Sequence, residues 1–110
     1  MDFYGFKVGD TSLRDIPQLC GDYGAKIYVK DESENEACHT FKDWRNADVL
    51  QRDSHIDSPI TYAQITSGNS GLSLGRLAKV AEKDRRVINF VDARLDNSIK
   101  TALREYGRVH

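Results

Sequence analysis

Short apolar runs flanked by charge alternate along this chain with longer stretches in which apolar residues recur every three or four positions. Lys26-Ile27-Tyr28-Val29-Lys30 sets β-branched and aromatic residues between charges and predicts a strand near 26–30. Phe41, Trp44, Val49 and Leu50 fit one side of a helix near 41–51, with Lys42, Asp43 and Arg45 free for another side. A polar connection follows, and Pro59 stops any helix before it. Ile60–Thr66 predicts a second strand, Ser67-Gly68-Asn69-Ser70-Gly71 a loop, and Leu72, Leu74, Leu77, Ala78 and Ala81 a helix near 70–83. Arg86–Val91 predicts a third strand. Asp96 or Asn97 suits the N-cap of a helix near 97–106 that carries Ile99, Ala102, Leu103 and Tyr106, and Gly107 suits its C-terminal cap. Arg108-Val109-His110 begins another strand. The first 25 residues are less regular and are broken by Gly9, Pro17, Gly21 and Gly24.

Alternating strand and helix imply an α/β fold: a three-layer parallel sheet with helices on both faces. At 110 residues the chain makes one domain, 1–110. Right-handed crossovers would gather the loops after the strands at one edge, where ligands usually bind, so the loops bearing Lys42 and Asn69 should meet there.

Charge narrows the class. Sixteen basic and 17 acidic residues are mixed along the chain, with no basic stripe for nucleic acid. No apolar run approaches the roughly 20 residues of a membrane span, and Met1–Gly5 lacks the zones of a signal peptide. The expectation is a cytoplasmic protein. Cys20 and Cys38 have no metal-site spacing, and a disulfide between them is not expected in a reducing compartment. His39, His55 and His110 are scattered, so no metal is expected.

Two segments carry candidate chemistry. The glycines of Ser67–Gly71 permit sharp turns and close backbone approach, and the following helix directs free N–H groups at whatever sits there. With Ser67, Asn69 and Ser70 adding donors, the loop suits a carboxylate, a phosphate or a polarised ring oxygen; it equally suits a plain turn capped by Asn69 or Ser70. Thr40-Phe41-Lys42-Asp43 puts a lysine at a helix N-terminus, where the macrodipole favours a neutral, nucleophilic amine. The same pattern also describes an exposed lysine opening an amphipathic helix.

Taken together and in order, these segments resemble a family. Val29-Lys30-Asp31-Glu32 followed by Thr40-Phe41-Lys42-Asp43 resembles the lysine-aspartate-glutamate stretch that precedes "SFKDR" in pyridoxal-phosphate (PLP) enzymes of fold type II, the threonine synthase, cysteine synthase and tryptophan synthase β family. Ser67–Gly71 resembles that family's asparagine loop, Gly9-Asp10-Thr11-Ser12-Leu13 its "GNTPL", and Asn97–Lys100 through Val109 its helix and turn ending in "GA-V". The wording lies nearest threonine synthase. The sequence departs from the pattern where Glu36–Phe41 runs one residue longer than "PTGSF" without its proline and glycine, where Trp44 replaces the arginine that follows as Arg45, and where Ser12 replaces a proline.

The resemblance implies a PLP enzyme of amino-acid β- or γ-elimination or replacement, represented by its small N-terminal domain. Lys42 would be the Schiff-base lysine and the base that moves the substrate's α-proton. Asn69 would hydrogen-bond the cofactor's ring hydroxyl, and Ser67, Gly68, Asn69 and Ser70 would bind the substrate's carboxylate. The chemistry would belong to the cofactor. The family's phosphate-gripping glycine loop and its second domain have no counterpart in these 110 residues, so a homo-oligomer or a separate large-domain chain is expected as partner. Two other readings stand beside it: a non-catalytic α/β binding or partner module with Lys42 on its surface, and a flavodoxin-like nucleotide binder using Ser67–Gly71 for phosphate.

Overall fold

The computed structural model describes residues 1–17, 24 and 26–110. Two small antiparallel hairpins precede the main layer. β1 (Asp2–Phe3) pairs with β2 (Phe6–Lys7) across a turn at Tyr4-Gly5, where both residues have positive φ. β3 (Leu13–Asp15) pairs with β4 (Tyr28–Lys30) in the register Leu13 to Lys30 and Asp15 to Tyr28. A 3-10 turn, Glu32–Glu34, follows.

Helix α1 spans Lys42–Arg52 and runs into a 3-10 turn at Asp53–His55. It ends well before Pro59. Arg85 pins this connection: its buried guanidinium donates to the carbonyls of Asp53 (3.0 Å), Ile56 (2.7 Å), Ser58 (3.3 Å) and Asp84 (3.0 Å). β5 (Ile60–Ile65), α2 (Asn69–Val80), β6 (Arg85–Phe90), α3 (Asn97–Arg104) and β7 (Arg108–Val109) then alternate as the sequence predicts. β5 and β6 pair in parallel from Ile60–Arg85 to Ile65–Phe90, and β7 joins β6 in parallel, giving the order β5-β6-β7. Asp96 caps α3, its Oδ1 accepting from Ser98 N at 2.8 Å.

The α/β class with a parallel sheet therefore holds, with three local differences. The strand at Tyr28–Lys30 forms, but it pairs antiparallel with β3 and stays outside the parallel sheet; its alternation recorded extended backbone, not a partner. Among the described residues the helices lie against one face of the sheet. Gly71 and Gly75 on α2 abut Leu103 and Tyr106, from α3 and the turn after it, and Gly71 also abuts Asn89 on β6. Arg85, Val87 and Asn89 on that face are buried, whereas Thr61, Ala63, Ile65, Arg86 and Phe90 on the other are exposed. α1 packs outside α2 and not on the sheet's second face. Finally, Gly107 is not a left-handed cap, since its φ is not positive; it is small because a Cβ there would stand 2.3 Å from Val87 O.

Phe3, Val8, Ala37, Ala47, Leu50, Leu74, Leu77, Ala78 and Val87 form the core, in which the N-terminal hairpin is sewn to α1 and α2. Cys20 and Gly21 lie outside the described residues. Among the described residues no helix is long and apolar enough to cross a membrane, and no three His, Cys, Asp or Glu side chains cluster as metal ligands.

Candidate functional site

Lys42 is the first residue of α1 and is half-buried. The loop before it folds back on the helix: His39 adopts φ +58°, and the Cys38 N–H donates to Asp43 Oδ2 at 2.7 Å. Asp43 is fully buried, and its Oδ1 has no hydrogen-bond partner among the described residues. Burial pushes the Cys38 thiol above its usual range, which keeps it protonated beside this loop. The Lys42 Nζ makes no hydrogen bond or ion pair among the described residues, so the amine is available to a ligand.

The segment resembling "GNTPL" and the Lys30-Asp31-Glu32 stretch pack on each other. Asn35, fully buried, accepts from Gly9 N (2.7 Å) through Oδ1 and donates to Glu32 O (2.8 Å) through Nδ2. Thr11 Oγ1 donates to Glu32 Oε1 (2.9 Å), and Lys30 Nζ donates to Thr11 O (2.7 Å). Trp44 lies against Gly9, where a Cβ would meet its Cδ1 at 2.4 Å. The residue in the place of the family's arginine is thus a packing partner for the first of these motifs.

Ser67–Gly71 turns from β5 into α2. Gly68, the residue before the helix, has φ +139°, which a side chain would strain. Thr66 organises the turn by accepting at Oγ1 from Gly68 N (3.0 Å) and Gly71 N (3.1 Å). Gly68 is buried, Ser67 and Asn69 are exposed, and Ser70 is half-buried.

Lys42 and Ser70 line one cavity of about 280 Å³, with Asn46 and Gln64 between them. Asn46, one turn after Lys42, donates to Ser70 O (3.2 Å) and Ser73 Oγ (3.0 Å). Gln64 on β5 donates to Ser70 O (3.3 Å) and accepts from Ser70 Oγ (2.9 Å). The two predicted segments therefore meet. They do so because α1 packs on α2, not because both follow strands of one parallel sheet. Ser67, Gly68 and Asn69 do not line this cavity. Asn46, Gln64 and Thr66 were not singled out by the sequence pattern, although a glutamine on the helix-facing side of a strand and an asparagine four residues beyond the lysine were the available signals.

No protein-family model and no curated protein matches the sequence. Solved structures do. Over 94% of this chain and 33% of the other, the fold matches O-ureido-L-serine synthase with a TM-score of 0.72 and 20% identity. A hydrogen sulfide-producing enzyme from Fusobacterium nucleatum matches with a TM-score of 0.67 and 24% identity over 93% of this chain and 34% of the other. Escherichia coli diaminopropionate ammonia lyase in its apo form matches with a TM-score of 0.68 and 21% identity over 93% and 33%. The chain has the fold of fold-type II PLP enzymes. It spans about a third of the length of each of these structures, and at this identity the likeness establishes fold alone.

Proposed function

We propose that this chain is the small domain of a PLP-dependent enzyme of amino-acid metabolism, with Lys42 as the lysine that carries the cofactor. The observation that supports it most directly is the shared cavity: Lys42 and Ser70 line one space, bridged by the Asn46 to Ser70 bond. The donor set suits that cofactor. It offers an unpaired, half-buried amine, an exposed asparagine amide at position 69, and a helix N-terminus for an anion. When bound, PLP supplies an electron sink for the amino acid's α-carbon.

On this reading Lys42 holds the cofactor and its Nζ moves the substrate's α-proton, with β- or γ-elimination or replacement as the reaction class. Asn69 is the partner for the ring hydroxyl. The loop Ser67-Gly68-Asn69-Ser70 receives the substrate's carboxylate. The matched structures' names, a serine-derivative synthase, a hydrogen sulfide-producing enzyme and an ammonia lyase, favour chemistry at the β-carbon of a small amino acid over the threonine synthase-like branch.

Incubation of the chain with PLP, borohydride reduction and peptide mass mapping tests the proposal. The expected result is one reduced cofactor adduct on Lys42, absent in Lys42→Ala. Labelling spread over several surface lysines, or undiminished in Lys42→Ala, overturns it in favour of a binding or partner module that keeps the fold without the activity.

A further inference from the structure

A second cavity, of about 450 Å³, lies along the first half of β6, toward the end of the sheet away from the Ser67–Gly71 loop. The strand from Thr61 to Ile65 alone separates the two regions by about 13 Å. Gly107 creates the cavity's wall. It approaches β6 so closely that a Cβ would stand 2.3 Å from Val87 O. That approach seats the turn after α3 on the edge of β6. Arg104, the last residue of α3, and Arg108, the first of β7, thereby join Arg86 in lining one concavity. Thr61, in register with Arg86, and Tyr106 line it too.

The charge on this wall is of one sign. Arg85 is committed to four backbone carbonyls, and Arg86 is paired with Asp84 at 2.8 Å. Arg104 and Arg108 are exposed, and their side chains make no hydrogen bond or ion pair among the described residues. The hydroxyls of Thr61 and Tyr106 have no partner among them either. No Asp or Glu lines the cavity, not even Glu105, which follows Arg104 in sequence. With 16 basic and 17 acidic residues in the chain, composition does not explain such a one-sided wall. The negative end of α3 favours Arg104 by itself, but Arg108 lies in the strand beyond that helix.

Two uncompensated guanidinium groups match a dianion. Their planar forks bond phosphate oxygens in pairs, and a phosphate monoester carries about −1.5 to −2 charges at pH 7. The volume is that of a small-molecule site and leaves room beyond the phosphate for an organic part. We propose that this cavity binds the phosphate group of a small phosphate monoester through Arg104 and Arg108, with the Tyr106 and Thr61 hydroxyls as neutral donors. The inference goes beyond the proposed function and does not rest on it, since none of these residues lines the Lys42 cavity.

Glycerol 2-phosphate is the probe. It is titrated at pH 7.5 and constant ionic strength into the full 110-residue chain, while the backbone amide and arginine Nε–H resonances are followed. Saturable shifts are expected at residues 86, 104, 106 and 108. Acetate, which leaves one charge unmatched, should bind about tenfold more weakly. Arg104→Gln and Arg108→Gln should each weaken glycerol 2-phosphate by about tenfold, the scale of one hydrogen bond to a charged group, and together abolish its binding. Both side chains are exposed, so the urea midpoint should hardly move. Arg94→Gln, which removes the same charge from an exposed site beyond the other end of β6, should bind within about twofold of the unaltered chain. So should Lys42→Ala. The proposal is overturned by the absence of saturable shifts, by losses under about threefold in both single variants, by an equal loss in Arg94→Gln, or by acetate binding as tightly. Shifts confined to residues 42–46 and 67–71 and lost in Lys42→Ala would also overturn it, by moving the phosphate to the other cavity. Oligothymidylate bound more than about a hundredfold more tightly through the same two arginines would make the surface a nucleic-acid contact and overturn the small-molecule assignment. Cofactor trapping at Lys42 reads a different residue, so the two readings fail separately.

Discussion

Gly71 sits where three side chains converge. A methyl group there would lie 2.7 Å from Leu103 Cδ2, 2.8 Å from Asn89 Oδ1 and 2.9 Å from Thr66 Cγ2. Leu103 and Asn89 are buried and belong to different elements, so they have little room to yield. Gly71→Ala should therefore destabilise the chain by about 1–3 kcal/mol, the range for overpacking a filled site, read from the urea midpoint; an unchanged midpoint would sink the argument. The sequence made Ser67–Gly71 recognisable as a glycine turn before a helix. It did not separate Gly68, which answers to backbone conformation, from Gly71, which answers to Leu103 from 32 positions later in the chain. Gly107 was read as a cap for the same reason: its real constraint, Val87 O, is distant in sequence. Lys42 was legible as the opening residue of a helix, whereas Asn46 and Gln64 acquire meaning only once Ser70 is beside them.

Among the elements, the β3–β4 hairpin and the turn after it depend most on charge. Arg14 bridges Asp31 at 2.9 Å and Glu34 at 3.1 Å. The Ser33 hydroxyl, then Arg14, hold Asp31 below the ordinary carboxylate range; the Thr11 hydroxyl does so for Glu32, and the Ser12 backbone N–H for Glu34. Depressed carboxylates contribute stability that is present above their unfolded values and lost as pH falls through the folded ones. The hairpin should hence loosen selectively as pH drops from about 5 toward 3, with amide exchange at Ser12, Asp31 and Asn35 rising before that of β5 and β6. Glu34→Gln should bring the loosening to neutral pH. Uniform acid loosening across both regions would contradict this. At the opposite end of the chain, Asp96→Ala removes the cap of α3 and should cost about 1 kcal/mol, measured by thermal or urea unfolding. That cap was readable because capping is local. The partner of β4 was not: Leu13–Asp15 is exposed at every position, without the alternation that marks a half-buried strand, and its pairing spans the stretch between the two strands.

At the scale of the whole molecule, parallel order was legible in the alternation from Ile60 onward, because three short strands separated by helices leave few other solutions. The coverage of the sheet was not. Ala63, Ile65 and Phe90 all stand on the face without helices, Ile65 at 88% exposure and Phe90 at 46%, with Phe90 stacked on His110 at 5.8 Å. The sequence could not report this, because Ile65 looks like any core residue of a buried strand. Each exposed Å² of such surface carries roughly 25 cal/mol of favourable burial free energy, and contiguous apolar patches commonly mark contacts. Arg86 on this face is paired within its own chain with Asp84 at 2.8 Å, and Arg108, exposed and in register with Ile88, sits at the edge strand β7 beside the apolar patch. A two-fold pairing places the same residues on both sides. The isolated chain is therefore expected to dimerise through the open face, with apparent mass in sedimentation equilibrium rising from monomer toward dimer between about 10 and 300 μM, the weak range for an interface below about 1,200 Å². Ile65→Lys with Phe90→Lys should hold it monomeric. Because both side chains are exposed, the monomer's unfolding midpoint should move little. A monomer at every concentration in the unaltered chain would overturn the expectation, as would association that survives the double lysine variant.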